Sequence, residues 1–233
     1  MGSRSRAAAF FDLDGTLLTV NSGRLWMRRE RRLGRISRWQ QLQAVFYLIG
    51  YRFGLIDMRR AMRKALQTVR GLEEETVRRW TEQWYAEEVA AFAAPGAWPV
   101  IAEHRRAGDR LILLTSSSPY EAEAARRHFG LDDALSTRYA VRDGRFTGDV
   151  ELPLCYGAGK VQIAERAAAV HGLDLSRSTF YSDSITDLPM LERVGRPQVV
   201  APDPRLRRLA RRRGWPVLDW SQPESVGQAV GQG

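Results

Sequence analysis

The run at residues 7–13 is apolar at almost every position and then breaks into acid at Asp12 and Asp14. A strand that alternates polar and apolar residues keeps one face in water. A strand apolar on successive positions is buried on both faces, the habit of a central strand in a parallel sheet. Similar short runs recur at residues 111–115, 179–182, 198–200 and 216–218, and the stretches between the later ones carry helical patterns suited to crossover connections. Strands and helices in that alternation specify an α/β fold with a Rossmann-like parallel sheet. Residues 136–142 and 145–150 flank Asp143-Gly144, a turn pair that predicts a hairpin or strand extension at one edge.

The interval between the first two strands is different in kind. Residues 24–94 have almost no strand signal and three or four helical stretches, which predicts an all-helical insert at about residues 22–95 within a core made of residues 1–21 and 96–233. Val77, Trp80, Trp84 and Ala91 recur there at helical spacing, and Pro95-Gly96 ends the last helix. The insert holds Trp26, Trp39, Phe46, Tyr47, Tyr51, Phe53, Trp80, Trp84, Tyr85 and Phe92, 10 of the 22 aromatic residues. Most are expected to form the insert's own core; any that line an entrance would favour a ligand with an apolar or planar body.

A chain of 233 residues, 44% of them hydrophobic, is long enough to bury a real core, so disorder is excluded as the general state. The single cysteine, Cys155, precludes an internal disulfide and a cysteine-based zinc site. No apolar run approaches the roughly 18 residues that span a bilayer; the most lipid-like stretch, residues 44–51, is far shorter. Asp12 and Asp14 interrupt any signal-peptide core, and Arg6 stands where a myristoylation signal needs Ser or Thr. A soluble, cytoplasmic protein is expected. The net charge of +9 raises the question of an anionic partner. The densest basic segment, residues 205–213, intersperses Leu206, Leu209 and Ala210 at helical spacing, which reads first as a solvated helix on the domain and second as an anion-binding surface.

Four segments carry chemistry. Asp12 and Asp14 lie two residues apart where the first strand meets a loop, so both point to one side, and the carboxyl ends of parallel strands open onto the crevice where such sheets bind ligands. One carboxylate can act as a nucleophile while the other handles protons, and Gly15 lets the backbone turn sharply beside an anion. The same residues also suit a plain turn with a capping aspartate. Thr115 closes the second strand ahead of Ser116, Ser117, Ser118 and Pro119, a helix start whose free N–H groups and hydroxyls cradle phosphate or merely cap the helix. Lys160 opens a helix after Tyr156-Gly157-Ala158-Gly159; this is no Walker loop, since Leu154 and Val161 occupy positions that pattern reserves for Gly and Ser or Thr. Of 36 basic residues only Lys64 and Lys160 are lysine, so a compact ammonium in place of a guanidinium fork is informative at Lys160. Finally Asp183 and Asp187 follow the strand at 179–182; Asp187 has the placement of an N-cap, while Asp183, at a strand end like Asp12, completes a hard oxygen pair suited to Mg²⁺.

In this order, DLDGTL, a strand-ending Thr with serines, a helix-opening Lys and SDSITD, the segments resemble the four motifs of the haloacid dehalogenase superfamily of phosphatases. The helical insert after the first motif resembles the branch that contains phosphoserine phosphatases. The resemblance implies a sheet with the Asp183 strand on one side of the first strand and the Thr115 strand on the other. It implies that Asp12 forms an aspartyl-phosphate, that Asp14 protonates the leaving oxygen and then activates water, and that Thr115 and the Ser116 N–H bind the phosphoryl group. Lys160 would neutralise charge and hold Asp12. Asp12, Asp183 and the Asp14 carbonyl would coordinate Mg²⁺, supported by Asp187. The expected function is a Mg²⁺-dependent phosphomonoester hydrolase acting on a small phosphorylated metabolite, with no nucleic-acid partner and no membrane span. A phosphoserine phosphatase proper, a phosphotransferase with the same chemistry, and a non-catalytic anion or nucleic-acid binder are the alternatives. Phosphoserine phosphatases carry an acid nine residues after the nucleophile to pair the substrate ammonium; Asn21 stands there, and with Arg59, Arg60 and Arg63 available for a second anionic group, a larger ester is expected to outperform phosphoserine. His104, His128 and His171 fall at predicted helix C-termini and read as structural. Cys155 reads as a packed thiol.

Overall fold

The computed structural model describes residues 6–34 and 58–221. Among the described residues eight strands form two sheets: β1 (Ala8–Phe11), β2 (Arg110–Leu114), β3 (Asp133–Leu135), β6 (Thr179–Ser182), β7 (Arg196–Val200) and β8 (Val217–Leu218) lie in the order β3-β2-β1-β6-β7-β8, while β4 (Tyr139–Arg142) and β5 (Arg145–Val150) pair as an antiparallel hairpin. All pairings in the larger sheet are parallel. The helices are α1 (Ser22–Arg32), α2 (Met58–Leu66), α3 (Glu74–Trp84), α4 (Ala97–Ala107), α5 (Pro119–Phe129), α6 (Ala158–His171), α7 (Leu188–Arg193) and α8 (Pro204–Arg213).

Side chains on a strand alternate between faces, so an all-apolar strand feeds two cores. Ala9, Phe11, Leu111, Leu113 and Tyr181 enter one buried cluster; their neighbours Ala8, Phe10, Ile112, Leu114 and Phe180 enter another. Helices α4 and α5 cover the first face with Val100, Ile101, Ala125 and Phe129; α6, α7 and α8 cover the second with Ala164, Leu191, Leu206 and Ala210. The result is a doubly wound three-layer α/β fold, as the strand pattern predicts. The outer side of α8 carries exposed arginines while Leu206 and Ala210 are buried, and none of the described helices is long and apolar enough to cross a membrane.

The hairpin turns on Asp143 and Gly144 with φ of 51° and 71°, as a tight turn of this kind requires. Strand β3 escapes a reading by pattern because Asp-Ala-Leu has no β-branched residue; it is made at the sheet edge by backbone pairing to β2. Within residues 22–95 the described regular elements are all helical, but the expected stripe of Val77, Trp80, Trp84 and Ala91 is not the buried one. A π-helical turn at Tyr85–Val89 follows α3, and Thr81, Trp84, Tyr85 and Val89 are buried whereas Trp80 and Phe92 are 41% and 38% exposed. Of the described aromatics of the insert, Trp84 and Tyr85 do not form a core separate from the sheet. Trp84, Tyr85 and Val89 join the same cluster as Leu17, Phe11 and Leu113 of the sheet. Trp26 packs edge-on against Trp84 with centroids 5.0 Å apart. Trp39, Phe46, Tyr47, Tyr51 and Phe53 lie outside the described residues, as does the lipid-like stretch at 44–51.

Candidate active site

Parallel pairing with β1 flanked by β2 and β6 brings the carboxyl ends of three strands to one edge. Asp12 follows β1 and anchors there through its N–H, which donates to the Tyr181 carbonyl of β6 at 2.9 Å. Thr115 follows β2 and Asp183 follows β6. The loop after β1 turns at Gly15, whose φ is +74°, and a Cβ on Gly15 would stand 2.5 Å from Asp183 Oδ2. Only glycine lets the Asp183 carboxylate lie against that loop.

Lys160 is brought to this edge by α6. A Cβ on its neighbour Gly159 would stand 2.0 Å from the Leu154 carbonyl oxygen, so the helix start requires glycine to pack this closely. The Lys160 ammonium donates to Asp12 Oδ1 at 2.8 Å and to Asp187 Oδ2 at 2.7 Å, with the side chain 3% exposed. Burial opposes its charge, but Asp12 and Asp187 outweigh burial and hold its pKa above the ordinary lysine value. Burial also pushes the Asp12 carboxyl up, and Lys160 pulls it back toward the ionised form. Asp187 occupies the N-cap position of α7 yet makes no capping bond. Its carboxylate instead accepts from Lys160 and from the Ser182 hydroxyl at 2.7 Å, so the supporting role fits its contacts and the capping role does not.

Asp14 is held from the insert side: its carboxylate accepts from the Ser22 N–H at 2.8 Å and from the Asn21 amide at 3.1 Å. Asn21 Oδ1 at the same time caps α1 by accepting from the Arg24 N–H. Burial raises the Asp14 pKa against the Ser22 bonds. Asp183 is pushed up to about 8, first by burial and then by the charges of Asp12 and Asp187. Thr115 is buried, and its hydroxyl oxygen accepts from the Ser117 N–H at 3.1 Å, while Ser116 is exposed. Ser118 caps α5 and Pro119 opens it, as predicted.

The structure thus links Asp12, Asp14, Lys160, Asp183 and Asp187 in one cluster, with Thr115 and Ser116 on the neighbouring strand end. The arginines of α2 are drawn elsewhere. Arg63 makes a two-pronged ion pair with Asp149 of β5 at 2.6 and 2.7 Å, Arg59 adds its charge to the same carboxylate, and Arg60 is exposed. The histidines keep structural positions in the last turns of α4, α5 and α6; His104 bridges Asp109 and the Tyr181 hydroxyl. Cys155 is buried and its thiol pushed up to about 12 by burial, which removes it as a nucleophile.

One residue was not singled out by its sequence. Ser118-Pro119-Tyr120-Glu121 has the spacing of a capping box, in which Glu121 would serve only the helix start. Ser118 supplies its half by accepting from the Glu121 N–H at 3.1 Å. The Glu121 carboxyl is instead 6% exposed, close enough to Asp14 to feel its charge, and pushed up to about 8 by burial first and Asp14 second.

Among the described residues no group of three or more His, Cys, Asp or Glu side chains is arranged as a self-sufficient metal cage. Mg²⁺ does not require one, since it keeps several waters and binds through one or two carboxylates plus substrate phosphate. Asp12 and Asp183, at the ends of the paired strands β1 and β6, are two hard oxygen donors of the kind a small divalent cation takes.

Comparison with known proteins agrees with this geometry. The family model for haloacid dehalogenase-like hydrolases matches residues 9–192. A probable phosphatase of Mycobacterium tuberculosis is 36% identical over 96% of this chain and 78% of the relative. A phosphoserine phosphatase of the same organism is 37% identical over 92% of this chain and 71% of the relative. The crystal structure of a Bordetella pertussis protein of unknown function superposes with a TM-score of 0.83 at 31% identity, covering 93% of this chain and 99% of that one. By matched length, identity and shared fold, the chain belongs to the haloacid dehalogenase-like hydrolase family and is one of its phosphatases.

Proposed function

We propose that the chain is a Mg²⁺-dependent phosphomonoester hydrolase that works through an aspartyl-phosphate on Asp12, with residues 22–95 as a helical cap over the site. The observation that carries this reading is the buried Lys160 bridging Asp12 and Asp187, which holds one Asp12 oxygen and leaves the other for attack. In the first step that oxygen bonds to phosphorus, the ester P–O bond breaks, and Asp14 gives its proton to the leaving oxygen. In the second, Asp14 takes a proton from water as the water oxygen bonds to phosphorus and the Asp12–phosphorus bond breaks, returning the enzyme with inorganic phosphate released. The raised Asp14 pKa favours a carboxyl that is protonated for the first step. Thr115 and the Ser116 N–H hold the phosphoryl oxygens, and Lys160 stabilises charge that grows on them. Mg²⁺, held by Asp12, Asp183 and the Asp14 carbonyl, would screen the repulsion between carboxylate and phosphate dianion.

The substrate class is a small phosphorylated metabolite. Turnover across a panel of phosphate esters, with phosphoserine beside larger esters and mass spectrometry of the enzyme under excess substrate, tests the reading. Expected are Mg²⁺-dependent phosphate release, a labile phosphoryl group on Asp12, and complete loss of activity in Asp12→Asn with the fold retained. Substantial activity in Asp12→Asn would end this mechanism, and the highest kcat/KM for phosphoserine would place the enzyme with the phosphoserine phosphatases proper.

A further inference from the structure

Six of the ten residues of α8 are arginine, and all six are exposed. The helix is fixed by its opposite side, where Leu206 and Ala210 are fully buried against the sheet. Residues four apart on a helix stand one above the other, so Arg207 with Arg211 and Arg208 with Arg212 make one continuous outward face. Among the described residues none of these four side chains has an ion-pair or hydrogen-bond partner, and Glu192 is taken by Arg213 at 2.6 Å. Like charges one turn apart repel. The helix dipole compensates cations only in the last turn, which leaves Arg207 and Arg208 without that support.

The ground beside this face is apolar. Val217 of β8 stands in register with Val199 of β7, whose side chain enters the core under α8; Val217 therefore points to the same side of the sheet, and at the sheet edge it is 45% exposed. Trp215 is half-buried on that side, with the Arg213 guanidinium over its ring at 5.1 Å from the centroid. A nucleic-acid backbone has phosphates to offer the arginines and nothing to offer the valine. A bilayer rich in anionic phospholipid offers both: phosphate headgroups for guanidinium forks, and an interfacial layer where tryptophan and exposed aliphatic side chains leave water.

We propose that the outer face of α8, with Val217 and Trp215 beside it, is a docking surface for an anionic phospholipid bilayer, which the protein binds peripherally. The four arginines supply the attraction, since each cation near such a surface strengthens partitioning about fivefold. The active site stays clear of this contact. It adjoins the start of α8, where Asp203 accepts the Ile185 N–H at 2.7 Å and donates its own N–H to the Asp183 carbonyl at 2.9 Å, and the surface does not depend on the reaction proposed above.

Co-sedimentation of the full chain with phosphatidylcholine vesicles, and with vesicles in which about one-third of the lipid is phosphatidylglycerol, tests the surface. The wild type should bind the anionic vesicles and not the neutral ones. A variant combining Arg207→Gln, Arg208→Gln, Arg211→Gln and Arg212→Gln should bind about a hundredfold or more weakly. A control combining Arg28→Gln, Arg79→Gln, Arg106→Gln and Arg142→Gln removes as much charge from exposed positions on α1, α3, α4 and β4. It should change affinity no more than about threefold, because screening confines the attraction to the docked face. Val217→Ser should weaken vesicle binding about threefold without any change of charge. A wild type that ignores anionic vesicles, an α8 variant that binds them undiminished, or equal loss in the α8 variant and the control overturns the docking surface. Unchanged vesicle affinity in Val217→Ser, or arginine-dependent binding to duplex DNA tighter than to the anionic vesicles, overturns the bilayer as its occupant. Should the α8 variant not fold by circular dichroism, Arg207→Gln with Arg211→Gln, expected to lose about twentyfold, is held to the same criteria.

Discussion

Lys160 shows how much one side chain type can decide. A buried ammonium between two carboxylates is a compact charge whose three donors can be shared among Asp12, Asp187 and an incoming phosphoryl oxygen. It also lies 5.5 Å from the Phe180 ring centroid, against an apolar wall. A guanidinium is planar and bulkier, and its fork fits one carboxylate well but two poorly. Lys160→Arg is therefore expected to lose about a hundredfold or more in kcat despite conserving charge, the scale of removing one preorganised electrostatic contact; steady-state kinetics on a folded variant near the wild-type rate would show the Lys160 ammonium to be dispensable.

At the scale of elements, α2 and the β4–β5 hairpin form a unit joined by Arg63 and Asp149. The arginine holds the Asp149 carboxyl down at about 2, with its own hydrogen bonds as the largest cause. A carboxyl whose folded pKa lies below its unfolded value of about 3.8 contributes stability that is present in full above the unfolded pKa and disappears as pH falls through the folded one. The contribution is small because both side chains are about two-fifths exposed. Melting temperatures of wild type and Asp149→Asn should thus differ above pH 4 and converge toward pH 2. A constant difference across that window would show that the pair does not supply the stability.

For the whole molecule the governing fact is that the two candidate metal carboxylates belong to strands far apart in sequence, joined only by the parallel pairing of β1 and β6. Activity is therefore expected to vanish reversibly on chelation, to return with Mg²⁺, and to return poorly with Ca²⁺, whose larger radius and higher coordination number distort an octahedral arrangement. Asp183→Ala should raise the Mg²⁺ concentration needed for half-maximal rate or abolish turnover. Full activity in chelator would remove the metal from the mechanism.

What the sequence alone determined was local in origin. Consecutive apolar residues ending in Asp12, Thr115 or Asp183 identify buried strands with polar side chains at their carboxyl ends, and Asp143-Gly144 identifies a hairpin, because burial on two faces and positive φ each select residue types within a few positions. Motif order along the chain carried the family resemblance for the same reason. The tertiary structure decided what depends on neighbours remote in sequence. Asp187 abandons its cap for Lys160, 27 positions away. Arg63 turns to Asp149, 86 positions away. Glu121, spaced like a capping-box acid, is buried where it feels the charge of Asp14 from another strand end. A carboxylate's role follows the charges and donors around it, and those are set by which elements pack together, not by the residues beside it in the chain.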